Sequence, residues 1–131
     1  MCATDAGIDM VSISQMASML DASGQTYRDM CWSPAEQAYC RDSAARYATR
    51  WAAKEAVMKA LGHGIGEVDP LDIEVIADEG QRPVLRLSGA AGSFAHQAGV
   101  SLTLSISHEG DLATALVIAT RCCANSTSGD L

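Results

Sequence analysis

The 131 residues leave room for one domain with a modest core and not for two ordinary ones. With 48% hydrophobic and 19% charged residues the composition is that of a folded globular chain, which excludes a disordered polymer and a membrane-embedded one. Nine Lys+Arg against sixteen Asp+Glu give a net charge of −7 and exclude broad binding of duplex nucleic acid, which needs a basic footprint. The distribution qualifies that sum. Residues 41–60 carry five basic and two acidic side chains, whereas 1–40 carry one and five and 61–131 three and nine.

Gly7 to Ile13 alternates apolar with small or polar side chains, as a strand does, and its odd member is Asp9, a carboxylate between Ile8 and Met10. Ser14 to Leu20 has helical spacing through Met16, Met19 and Leu20, and Asp21 to Gly24 reads as the turn that ends it. Ser33-Pro34-Ala35-Glu36 is a helix start, with a capping serine, proline in the first turn and an acid after it. Asp42 or Ser43 then caps the longest helix, which is rich in alanine, runs to Leu61 and meets Gly62 where a C-cap belongs. Gly62 to Gly66 is expected to be a flexible loop. Asp72–Ile76 and Pro83–Leu87 read as strands joined by the 78–81 turn. Ser88 is placed as the cap of a short helix to Ala98, stopped by Gly99. Ser101–Ser107 and Ala113–Ala119 form a second hairpin about Glu109–Asp111, and the small, polar residues from Ala124 to Leu131 are expected to be a disordered tail. The order gives an α+β domain with a small antiparallel sheet and one long helix, rather than a doubly wound sheet.

Five cysteines (Cys2, Cys31, Cys40, Cys122 and Cys123) form no Cys-x-x-Cys pair and have no histidine at metal spacing, so reduced thiols in a cytosolic compartment are expected. Cys122-Cys123 could be a vicinal redox pair, but the strain of such a disulfide favours two incidental thiols. The N-terminus has no positive segment followed by an apolar run, and no stretch approaches the roughly 20 apolar residues of a membrane span. Six aromatics leave the core to alanine and aliphatic residues, and a small core of that kind makes oligomer formation a natural supplement.

At about 100° per residue, Arg46, Arg50 and Lys54 form one stripe of the long helix. Glu55 and Lys59 form another, roughly opposite. On spacing alone the first stripe is a solvated face and the Glu55–Lys59 spacing an ordinary surface pair. Against that stand the alanine-rich flanks, which allow close packing, and Asp9, an acid in an apolar strand that needs a partner. Two carboxylates from separate elements with a lysine one turn beyond suit a hard divalent ion and a phosphate. Gly62, Gly64 and Gly66 would let backbone approach a bulky anion, although no P-loop is present. Ser105-Ile106-Ser107-His108 ends a strand with two hydroxyls and an imidazole. A hydrolase built on Ser107 and His108 lacks the Gly-x-Ser-x-Gly elbow, and the plainer reading of His108, as of His63 and His96, is structural.

Taken together, Gly7-Ile8-Asp9, Arg50-Trp51-Ala52-Ala53-Lys54-Glu55 continuing to Lys59 and Gly62, and Ser105–His108 resemble the holo-[acyl-carrier-protein] synthases. These are the short bacterial type of 4′-phosphopantetheinyl transferase. Ser33–Glu36, the Gly62–Gly66 loop, Asp72–Val75 and Pro83 also fall in the family's order, and the resemblance spans about residues 6 to 120. It implies the fold of that family over residues 1–121, with 122–131 as a tail. It also implies a homotrimer with its sites between subunits, in the cytoplasm. The implied reaction moves phosphopantetheine from coenzyme A to a serine of an acyl carrier protein, or of a carrier domain in a fatty-acid or polyketide synthase. Adenosine 3′,5′-bisphosphate is released, and neither nucleic acid nor membrane takes part. By motif, Asp9 and Glu55 would ligate Mg²⁺ on the pyrophosphate, and Lys59 would contact the phosphates and balance the leaving group. Gly62 and Gly64 would admit the nucleotide. Arg50 and His108 would lie near the 3′-phosphate, Pro83 near the adenine, and Ser107 among the residues that bind coenzyme A. Many relatives carry an arginine just after the first strand, whereas Ser12 to Gln15 stand there in this chain. Arg28, Arg41 and Arg46 are then candidates for the carrier contact. A non-catalytic trimer that merely holds coenzyme A or a nucleotide is the alternative.

Overall fold

A computed structural model describes residues 2–78 and 80–122. In chain order these form β1 (Cys2–Ser12), α1 (Ile13–Cys31), α2 (Pro34–Cys40), α3 (Ala44–Leu61), a 3-10 turn (Pro70–Asp72), β2 (Ile73–Ile76), β3 (Val84–Leu87), α4 (Gly89–Ala98), β4 (Ser101–Glu109) and β5 (Leu112–Cys122). Antiparallel strands in the order β1-β5-β4 make one sheet, and β2-β3 is a separate hairpin. The expected tail lies outside the described residues beyond Cys122, and so does Cys123.

α3 lies across the three-stranded sheet because both surfaces are built from small side chains. Ala52, Ala53, Ala56 and Val57 face Ala115, Val117 and Ala119 of β5, all buried. The approach is closest at Gly7, where an added Cβ would collide with the Ala56 carbonyl oxygen. Glycine is therefore required there by contact rather than by backbone angle. The second half of the core mixes Met16, Leu20, Ala48 and Ala113 with aromatic side chains. Trp32 is fully buried, with Tyr27, Tyr47 and Trp51 edge-on at 5.3, 4.8 and 6.0 Å, under α1. Few aromatics are present, but they are concentrated in one place.

Two expected boundaries move, and one expected cap lacks its side-chain bond. β1 begins five residues before Gly7, because Cys2–Ala6 pair with Ile118–Cys122, a partnership between chain ends that local alternation cannot reveal. The turn expected at 21–24 is a break at Gly24 alone (φ 61°, ψ −148°), after which the helix resumes to Cys31. Gln25 helps hold the second leg, donating to Asp29 at 2.7 Å and to Gln37 of α2 at 2.8 Å. Ser88 precedes α4 but makes no side-chain cap; its hydroxyl donates to Asp72 instead. Ser43 caps α3, and Gly62 closes it in the left-handed region at φ 77°.

Candidate active site

Two charged clusters flank α3. The first is set by β1. Asp9 lies two residues beyond Gly7 and so on the same, helix-facing side of the strand. Its carboxylate accepts from Lys59 Nζ at 3.1 Å, and the same ammonium donates to the Ile8 carbonyl at 2.8 Å. Glu55, one turn before Lys59, completes the group. Burial pushes its carboxyl pKa up, the negative charge of Asp9 adds to that, and Lys59 opposes it. No hydrogen bond satisfies the Glu55 carboxylate among the described residues. One lysine thus stands beside two acids, and one negative charge is left uncompensated.

That donor set fits a hard divalent cation. Asp9 and Glu55 offer oxygen only, and no group of three or more His, Cys, Asp or Glu that could hold a metal is present among the described residues. Two protein carboxylates with the remaining positions left to water and phosphate is the Mg²⁺ pattern, not that of a structural zinc or calcium cage.

The second cluster lines a cavity of about 240 Å³ between α2, α3, the β2–β3 hairpin and β4. Arg50, Pro83, Ser107 and His108 meet there, joined by Arg46 and Tyr39. Four residues that the resemblance assigns to coenzyme A are thereby brought together, with Arg46, a carrier-contact candidate, beside them. They do not join Asp9, Glu55 and Lys59. Arg50 and Glu55 are five residues apart on α3, hence about 140° apart around its axis. Ser107 and His108 share no hydrogen bond, and neither has a carboxylate partner among the described residues, which leaves a hydrolase without its relay.

Gly62 and Gly64 lie on the loop that follows Lys59. The loop is more built than the expected flexible tether. Glu67 and Val68 amides donate to the Gly64 carbonyl, each at 3.0 Å. The His63 ring stacks on Phe94 of α4 at 3.6 Å and lies 3.1 Å from Glu67, so His63 is structural as expected. A larger, mostly apolar cavity of about 890 Å³ opens beyond this loop, between α1 and residues 65–72, and takes in Gly66 but none of the residues to which the resemblance gives a role.

The basic stripe is the main surprise. Arg50 and Lys54 are buried, not solvated. Lys54 Nζ donates to Glu36 at 2.9 Å, to the Pro70 carbonyl at 2.9 Å and to the Ile73 carbonyl. Glu36 in turn accepts from the Ser33 amide at 2.8 Å and the Val75 amide at 2.9 Å. Burial lowers the Lys54 pKa and Glu36 opposes the shift. The pair ties α2, α3 and the start of β2 together. Its only trace in the sequence is the capping box at Ser33–Glu36, which explains the glutamate without revealing its buried partner.

Among the candidates for a carrier contact, Arg28 sits 5.5 Å from the Tyr47 ring centre and Arg41 is exposed. At Ser12–Gln15 the opening of α1 is capped by Asp111, which accepts from the Ser14 amide and both the Ser12 and Ser14 hydroxyls.

Residues 5–117 match the model of the 4′-phosphopantetheinyl transferase superfamily. The holo-[acyl-carrier-protein] synthase of Herpetosiphon aurantiacus is 42% identical over 120 residues, covering 86% of this chain and 94% of that protein. That of Trichlorobacter lovleyi is 43% identical over 117 residues, covering 86% and 93%. Among solved structures, the Chronobacterium ammoniagenes synthase–CoA complex is similar at a TM-score of 0.81 with 34% identity, over 92% of this chain and 99% of that one. The Helicobacter pylori holo-[acyl-carrier-protein] synthase in complex with coenzyme A follows at 0.79 and 32%, over 87% and 98%.

Proposed function

The chain belongs to the 4′-phosphopantetheinyl transferase superfamily, and on that premise we propose how its residues divide the reaction between them. The reaction is transfer of 4′-phosphopantetheine from coenzyme A to a serine of an acyl carrier protein. The nucleophile belongs to the carrier, so this chain needs charge neutralisation and in-line placement rather than a nucleophile of its own. Asp9 and Glu55 hold Mg²⁺, which when bound offsets the charge of the pyrophosphate. Lys59, its side chain 56% exposed and already turned toward Asp9, reaches the phosphates and balances the departing bisphosphate. Gly62 and Gly64 keep side chains off the nucleotide's approach. Arg50, Ser107 and His108 receive the 3′-phosphate in the smaller cavity, with Pro83 against the adenine.

The observation that carries this reading is the incomplete cluster at Asp9, Glu55 and Lys59: half-buried oxygen donors short of one positive charge, beside an exposed lysine. Because the nucleotide cavity lies around the helix from that cluster, each active site combines one protomer's acids with its neighbour's cavity. A homotrimer fits the outer sheet face, where Ile8, Met10 and Leu116 are 57%, 63% and 39% exposed. The free thiols of Cys31 and Cys40 fit a cytoplasmic setting, and no described helix is long and apolar enough to cross a membrane.

Incubation with coenzyme A, Mg²⁺ and a panel of apo carrier proteins, read by mass spectrometry, tests the proposal. One phosphopantetheine is expected on a carrier serine, and the gain should vanish with chelator and return with Mg²⁺. Binding of coenzyme A with no mass gain on any carrier would leave only a nucleotide-holding module. A monomeric mass by light scattering would contradict the shared site.

A further inference from the structure

Arg46 and Arg50 stand one turn apart on α3, where two like charges repel. Both are nevertheless drawn onto the same ring: each guanidinium carbon lies 4.6 Å from the centre of Tyr39. Arg46 is fixed by a 2.8 Å hydrogen bond to the Tyr39 carbonyl. Arg50 is only 5% exposed and gives one hydrogen bond, 3.0 Å to the Thr49 hydroxyl, which leaves most of its five N–H donors unused. Neither arginine has an ion pair among the described residues, and no Asp or Glu lines the cavity they share with His108. Asp78 borders the adjoining cavity without pairing with Arg46. A buried guanidinium with a second one beside it and no counter-ion is an arrangement that awaits an anion.

We propose that Tyr39 holds Arg46 and Arg50 as a two-guanidinium clamp for the 3′-phosphate of coenzyme A, which makes Arg46 a determinant of donor specificity. The inference rests on reading this cavity as the nucleotide end of the donor site. It moves Arg46 from the carrier contact to the donor. A phosphate dianion matches two guanidiniums in charge and its terminal oxygens can accept from both, and a donor lacking that phosphate leaves both unpaired. The aromatic ring acts as a spacer that keeps the two forks oriented when the cavity is empty.

The test compares coenzyme A with 3′-dephospho-coenzyme A as donors. Arg46→Gln should lower the preference in kcat/KM for coenzyme A by about tenfold, as for the loss of one charge-assisted hydrogen bond. Tyr39→Leu should lower it in the same direction, and Tyr39→Phe, which keeps the ring, should recover most of it. An equal loss for both donors would overturn the clamp. A second arm needs no transfer: calorimetric binding of adenosine 3′,5′-bisphosphate and of adenosine 5′-monophosphate to wild type and Arg46→Gln. Selective loss of the bisphosphate supports the clamp even if no carrier is modified, in which case the transferase reading alone fails. Transfer by the wild type with no selective loss removes the clamp and leaves that reading standing.

Discussion

Lys54 and Glu55 are consecutive residues on one helix and occupy opposite electrostatic settings. Lys54 is sealed, and its ammonium meets three acceptors from α2, the 3-10 turn and β2. Glu55 faces the edge of β1 beside another acid, with a single lysine to serve both. The contrast separates two uses of charge. Where every proton and lone pair is matched inside the protein, charge fixes the fold. Where a carboxylate is left short of partners, charge is kept for something that arrives from outside.

The sharpest way to break the contrast is to neutralise each side in turn. Glu55→Gln or Asp9→Asn should lower carrier modification by about 100-fold or more, through loss of charge stabilisation at the phosphates. Melting temperature should be unchanged or higher, because a repulsion is relieved. A large drop in melting temperature with only mild loss of transfer would place these acids in the fold instead. Lys54→Met should do the reverse, with urea unfolding showing a loss of about 3–5 kcal/mol as Glu36 is left buried and unpaired. Glu36→Leu added to Lys54→Met should recover part of that loss and not all, since the Ser33 and Val75 amides still lose their acceptor.

The smallest effect is a matter of sign. Glu55 and Glu74 both start from the usual 4.5 and move apart. Glu74 is held below it by hydrogen bonds from Ser33 and Arg86, so its contribution is present above pH 4.5 and is lost as pH falls through its lowered value. Glu55 is raised, so its contribution is present below pH 4.5 and is lost as pH rises through its raised value. Metal-free unfolding measured across pH should therefore change in opposite ways for Glu74→Gln and Glu55→Gln relative to wild type. Changes of the same sign would mean that the two carboxylates are not in contrasting settings.

Much of the fold and of the site is legible in the sequence, for reasons that differ by residue. Ser43, Gly62 and the Ser33–Glu36 box act within a turn of themselves, so the helix ends they mark are local facts. Asp9 was conspicuous because an acid in an apolar strand has no local explanation. The first five residues of β1 were not legible, since their partner lies at the far end of the chain. Nor was the fate of Lys54. Helical spacing put it with Arg46 and Arg50, and only the arrival of α2 and β2 determines that it is covered. The family resemblance supplied roles for Arg50, Pro83 and His108, but Tyr39 carries no motif. Its part is visible only once α2 is laid against α3.

Gly7 has a consequence for how far this protein can drift. Where β1 meets α3, main chain faces main chain, with no side chain between them to grow, shrink or change rotamer. Substitutions elsewhere in the core can repack around this point without altering the gap between the strand that bears Asp9 and the helix that bears Glu55. The spacing of the two acids is thus gauged by an absent methyl group, a standard of length that ordinary mutation of the core leaves alone.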